Sequence, residues 1–212
     1  MRRNRSGFTM IEVVMVITII GILATLALPR MSRDLRQEAI DNILSAVRYT
    51  QHLALVDDKT DPADSEWQKK LWKITFTING TNSYYTISSD SDKDGVVDKL
   101  ETAMDPANGT YMYHLNTNPT AADESTNILI GKNYGINGIT FSGGCPSNVH
   151  HIGFDRLGRP HVSIGSAAND YRSYMTSDCN ITFSFAKSGI DPFSLIVTKE
   201  TGFSYVEGEP NM

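Results

Sequence analysis

Two periodicities divide the chain. From Phe8 to Leu28 every position is apolar or glycine except Thr9, Glu12, Thr18 and Thr25, and at about 1.5 Å per residue a helix of this run just spans a hydrocarbon core. Beyond Pro29 the pattern turns amphipathic: Leu35, Ala39, Ile43, Val47, Thr50 and Ala54 recur every three or four residues, with Arg33, Arg36, Asp41 and Arg48 on other faces. The spacing predicts one helix from Phe8 to about Val56, within an N-terminal segment 8–58 whose part 8–28 is transmembrane. A separate surface helix hinged at Pro29 is the alternative. Asp57-Asp58-Lys59 and Asp61-Pro62 mark the stop.

The period then falls to two. The runs LWKITFTI and NSYYTI alternate about Asn79-Gly80 and predict a hairpin. Later runs NILIG, GITFSG, HHIGF, HVSIG, NITFSFA and SLIVTK are short, β-branched or aromatic, and punctuated by glycine. The expected class is α+β: a long N-terminal helix packed on a β-rich, antiparallel domain over 59–212.

Composition changes this picture only slightly. Hydrophobic residues make up 40% and charged ones 20%, so a packed core is expected and extended disorder is not. The net charge of −5 gives no general nucleic-acid coat. Arg2, Arg3 and Arg5 directly precede the apolar run, while Arg30, Arg33 and Arg36 are mixed with acids after it, which favours a cytoplasmic N-terminus and an outward C-terminal domain. A cleaved secretory signal fits less well, since the run is long for such a segment and no A-x-A site closes it. On the oxidising side of a membrane the two cysteines, Cys145 and Cys179, are more often a disulfide than free thiols. That closure would stabilise the fold by roughly 3 to 4 kcal/mol in the chain-entropy view.

Glu12 is the anomaly in the apolar run. A carboxylate in hydrocarbon costs roughly 2.5 kcal/mol or more, so it needs a cationic partner. Cutting the chain between Gly7 and Phe8 would place a new α-amino group one helical turn before it. Basic leader, Gly7, Phe8, Glu12 and long apolar helix together resemble the class III leader of type IV prepilins and type II secretion pseudopilins.

The resemblance implies a pilin-like fold, removal of residues 1–7 by a prepilin peptidase at Gly7, N-methylation of Phe8, and a role for Glu12 in assembly. Removing the three leader arginines would take the net charge from −5 to −8. The implied location is the bacterial inner membrane, single-pass, with the C-terminal domain in the periplasm before insertion into a pilus or pseudopilus. Implied partners are other pilin or pseudopilin subunits and an inner-membrane assembly platform.

A second motif interrupts the strand pattern. In SDSDKDGVVDKLE, Asp90, Asp92, Asp94, the Val96 carbonyl, Asp98 and Glu101 fill positions 1, 3, 5, 7, 9 and 12 of a calcium loop, with Gly95 at the sharp turn. Calcium is the expected cofactor, over the alternative of a solvated acidic turn. A strand precedes the loop in place of the usual entering helix.

Further on, IGFDRLGRP, ITFSF and SLIVTKETGFSYV resemble the H-type pseudopilin and minor pilin family (GspH/FimT), through Phe154, Gly158, Arg159 and the turn Thr201-Gly202. Some members of that family bind DNA for uptake, which makes Arg156 and Arg159 candidate phosphate contacts. Interleaved acids such as Asp155 and Asp178 favour scattered solvated charges instead. His150, His151 and His161 lack a metal-binding companion motif, because adjacent side chains on a strand diverge, and no phosphate-cradling loop is present. No enzymatic activity is expected. The expected function is that of a minor subunit that primes or caps a filament for secretion or DNA uptake.

The leader reading has a direct check. Intact mass of membrane-extracted protein should show loss of residues 1–7 and addition of one methyl group; a chain still carrying Met1 contradicts it.

Overall fold

The computed structural model describes residues 9–115, 120–166 and 172–209, and for residues 24–34 and 166 the backbone alone. The leader 1–7 with Gly7, and Phe8, lie outside the described residues. Helix α1 runs over Met10–Val56, about 70 Å at 1.5 Å per residue, and remains helical through Pro29. Its first described half, Met10 to Leu23, is exposed, with Ile11 at 77% and Met15 at 66%. Among the described residues no helix is long and apolar enough to cross a membrane. Of the expected span 8–28, Phe8 and the side chains of 24–28 fall outside that description.

The second half of α1 is buried on one face. Ala39, Ile40, Ile43, Val47, Thr50 and Ala54 are enclosed, the stripe that the three-and-four spacing anticipates. Two antiparallel sheets receive it. β1 (Trp72–Thr77), β2 (Tyr84–Ser88), β4 (His151–Phe154) and β5 (Pro160–His161) form one in the order β2-β1-β4-β5. β3 (Ile136–Gly143), β6 (Cys179–Phe185), β7 (Phe193–Val197) and β8 (Ser204–Val206) form the other in the order β3-β6-β7-β8. Phe76 of the first sheet meets Phe141 and Phe183 of the second at centroid distances of 6.1 and 5.5 Å, so the sheets share one core beneath the helix. Such aromatic pairs add about 0.5–1.5 kcal/mol each beyond their burial.

Three expectations change in detail. The β1–β2 hairpin closes with Thr77 opposite Tyr84, so its loop is wider than a two-residue Asn-Gly turn, although Gly80 does take a positive φ of 52°. NILIG is not a strand: α2 (Ile130–Tyr134) begins inside it, because the amide of Gly131 bonds the Ser83 carbonyl and holds the run across the β2 side of the core. HVSIG contributes only His161 to β5 before a 3-10 turn over Ile164–Ser166. Cys145 and Cys179 are disulfide-bonded, tying the loop after β3 to the start of β6.

Gln51 joins helix and sheets. Its Nε2 donates to the carbonyls of Gly158 and Thr201, both at 2.8 Å, one in the β4–β5 turn and one in the β7–β8 turn. Gly202, at φ 67°, lies so close that a Cβ there would collide with the Gly158 carbonyl oxygen. Replacing Gln51 with glutamate turns a donor into an acceptor facing two carbonyl oxygens. Gln51→Glu should lower unfolding free energy by about 2–3 kcal/mol, read as a reduced denaturant midpoint at unchanged slope.

Candidate functional site

The described head of the chain holds Glu12 in a definite arrangement. Thr9 is the N-cap of α1, and its Oγ1 accepts the Glu12 amide at 3.3 Å. Glu12 Oε2 accepts the Thr9 amide and the Thr9 hydroxyl, both at 2.8 Å. This is a capping box, which satisfies otherwise unpaired groups at a helix start. The sequence pattern pointed only to a cationic partner for Glu12 and missed this box, although Thr9-x-x-Glu12 has its spacing. In this chain the acid therefore has a local partner, one turn from where the implied cleavage would create an amine.

The acidic loop follows β2. Asp90, Asp92 and Asp94 come together, with one carboxylate oxygen from each lying within 4.8 Å of the others. Asp90 is wholly buried; its Oδ2 accepts the Gly95 amide at 3.2 Å, while its Oδ1 is enclosed and meets no donor among the described residues. Gly95 at φ 83° makes the turn that folds the loop back over Asp90. The other expected ligands are arranged differently. Glu101 Oε1 accepts the amides of Ser91 and Asp92 at 2.6 and 3.3 Å, and Oε2 accepts that of Asp98 at 3.3 Å. Asp98 and Glu101 thus form the capping box of a 3-10 turn over Lys99–Glu101. Val96 is 60% exposed, and its amide donates to Asp94 Oδ1 at 2.7 Å.

Charge around this loop is unevenly placed. Lys93 reaches away to Asp64 at 3.0 Å, and Lys99 to Asp123 and Glu124 at 2.9 and 3.0 Å. Lys73, buried in β1, attracts Asp90 and Glu101 from below. Burial pushes the Asp90 carboxyl above its usual range and pushes the Lys73 ammonium below its own. A recess of about 470 Å³ opens beside the loop, lined among others by Asp92, Asp98, Glu101, Tyr113 and Glu124.

The C-terminal turn places Arg156 and Arg159 unequally. Arg156 is exposed and lies 3.8 Å from Asp58. Arg159 donates from Nε to Asp155 Oδ2 at 2.8 Å and from Nη2 to the Tyr174 hydroxyl at 2.5 Å, with its guanidinium 4.6 Å above the Tyr174 ring. Neighbouring groups already engage that fork. Beneath it, His161 is fully buried, with Nδ1 2.8 Å from Ser173 Oγ and Nε2 3.6 Å from Asp155 Oδ2. The acid, imidazole and hydroxyl follow the order of a nucleophile relay, yet Ser173 is only 4% exposed and Asp155 3%, so among the described residues the three groups are enclosed. Desolvation opposes the Asp155 charge, but the nearby His161 ring together with bonds from Arg159 and the amides of Leu157 and Arg159 outweighs it and holds its carboxyl well below the usual range. Sequence reasoning missed this network, since Asp155, His161 and Ser173 carry no shared spacing signal.

Residues 2–28 match the family model of the prokaryotic N-terminal methylation motif. The motif indicates a type IV pilin-like or pseudopilin protein, and with it association with other pilin subunits and with the prepilin peptidase. No curated protein and no solved structure matches the chain.

His151 provides a check on how this region titrates. Its ring accepts the Ile164 amide at 3.3 Å, and burial, with Lys73 and His150 nearby, pushes its pKa down to about 4. Because the unfolded chain binds the proton first, stability is complete above the unfolded value near 6.5. It then declines as pH falls toward 4, by at most about 3 kcal/mol. Unfolding of wild type and His151→Phe across this window should show the decline in the first and a weaker one in the second.

Proposed function

We propose that the chain is a minor pilin or pseudopilin subunit, inserted by α1 into a type IV pilus or type II secretion filament, where it helps to prime or cap assembly. The observation that carries this reading is the methylation motif over 2–28 running directly into a helix whose far half is the spine of the β domain. A subunit built this way presents the apolar positions Met10 to Leu23 to its surroundings, while Ala39 to Ala54 remain in its own core. In the proposed cycle the peptidase cuts after Gly7 and Phe8 becomes the methylated terminus. The helix anchors the chain once across the inner membrane with its β domain in the periplasm, and Glu12 then pairs with an amine within the assembling filament. The subunit meets the inner-membrane assembly platform, the energy for assembly comes from a separate ATPase, and the role is structural, without catalysis.

Placement nearer the H-type pseudopilins and minor pilins draws support from the two turns that carry that resemblance. Gly158 and Gly202 both take positive φ, 77° and 67°, and Gln51 of α1 donates to the carbonyls of Gly158 and of Thr201, the residue before Gly202.

The test is a deletion strain scored in the same cultures for DNA uptake and for release of exported proteins, then complemented with wild type or Glu12→Ala. One of the two processes should fall, wild type should restore it, and Glu12→Ala should restore it poorly, by a factor of ten or more. Normal uptake and secretion in the deletion strain, with no protein in sheared surface filaments, would refute the filament role.

A further inference from the structure

We propose that the loop 90–101 is a calcium site centred on Asp90, Asp92 and Asp94, with Glu101 the carboxylate placed to complete it. The proposal is independent of the filament role. It does not rest on the number of acids in the loop, which a solvated surface turn would share. It rests on one atom: Asp90 Oδ1 is fully enclosed and meets no donor among the described residues, which strongly disfavours a charged oxygen unless a cation is available.

The surroundings of that oxygen suit a hard divalent ion. Oxygens bound to one calcium at about 2.3–2.6 Å lie at most about 5 Å apart, and the carboxylates of Asp90, Asp92 and Asp94 fall inside that reach, within 4.8 Å of one another. The two lysines carried by the loop do not neutralise them, since Lys93 is engaged by Asp64 and Lys99 by Asp123 and Glu124. Lys73 attracts Asp90 from below, on the inner side, while Asp92 and Asp94 are exposed on the outer side.

Glu101 stands ready as a further ligand. Its carboxylate already bridges the two halves of the loop, through the amides of Ser91 and Asp92 on one side and Asp98 on the other. An all-oxygen set with room for several waters fits calcium better than magnesium, which demands a near-ideal octahedron and dehydrates reluctantly.

The full chain in detergent, stripped with a chelator and titrated calorimetrically, tests this. Calcium chloride should give a one-site isotherm with an affinity of about 10⁻⁴ M or tighter, as in extracellular calcium modules, and magnesium chloride should bind at least tenfold more weakly. The double variant Asp92→Ala, Asp94→Ala alters two exposed side chains, so its metal-free melting temperature should match wild type while the calcium heat disappears. Absence of heat up to millimolar calcium in wild type would overturn the site, as would heat undiminished in the double variant. An equal response to magnesium would overturn its assignment to calcium.

Discussion

One buried helical stripe carries the architecture. The two sheets are each only four strands wide, and neither could bury its inner face alone. They are held by a common lid, the face of α1 from Ala39 to Ala54, and by the aromatic contact of Phe76 with Phe141 and Phe183 across the seam. The alanines at 39, 46 and 54 let the helix approach closely, while Ile40, Ile43 and Val47 fill the space between the sheets. Polar contacts then fix the register: Gln51 bonds both turns, Arg48 donates to the Ser204 carbonyl at 3.0 Å, and Arg36 pairs with Glu209 at 2.8 Å.

That arrangement makes the helix one mechanical object with two environments. Its outer half cannot shift along its axis without breaking the Gln51 bonds and exposing Ile40, Ile43 and Val47, each fully buried and worth roughly 1.5–3 kcal/mol when enclosed. Its exposed half projects from that fixed base, so force applied to the apolar end is transmitted to the β domain through packed side chains. The proposed filament role uses this coupling.

Charge is handled in two opposite ways in the same domain. Around Asp155 the buried acid is surrounded by Arg159, His161, Tyr174 and two backbone amides, and its charge is stabilised within the chain. Around Asp90 the chain supplies backbone amides of the loop and a buried lysine, while the loop's own lysines are engaged by Asp64 and by Asp123 and Glu124. The first arrangement is structural and closed. The second is open on its outer side, where Asp92 and Asp94 meet solvent.

Local patterns set by two periodicities determined much of this protein in the sequence itself. The helix end near Val56, the core positions Ala39, Ile43, Val47 and Ala54, and most of the strands are legible because a helix face and a pleated strand each impose a spacing that burial enforces. The methylation motif and the acidic loop are legible because their chemistry fixes residue types at fixed intervals. The tertiary structure decided what depends on distant groups. NILIG became the start of α2 because Ser83 captures the Gly131 amide, overriding a β-branched run. The spatial order β2-β1-β4-β5 and the enclosure of Asp155, His161 and Ser173 arise from pairings between segments far apart in the chain. Glu101 took its capping role because the 3-10 turn left amides at the loop's neck that a carboxylate could accept, a geometry that residue spacing alone does not specify.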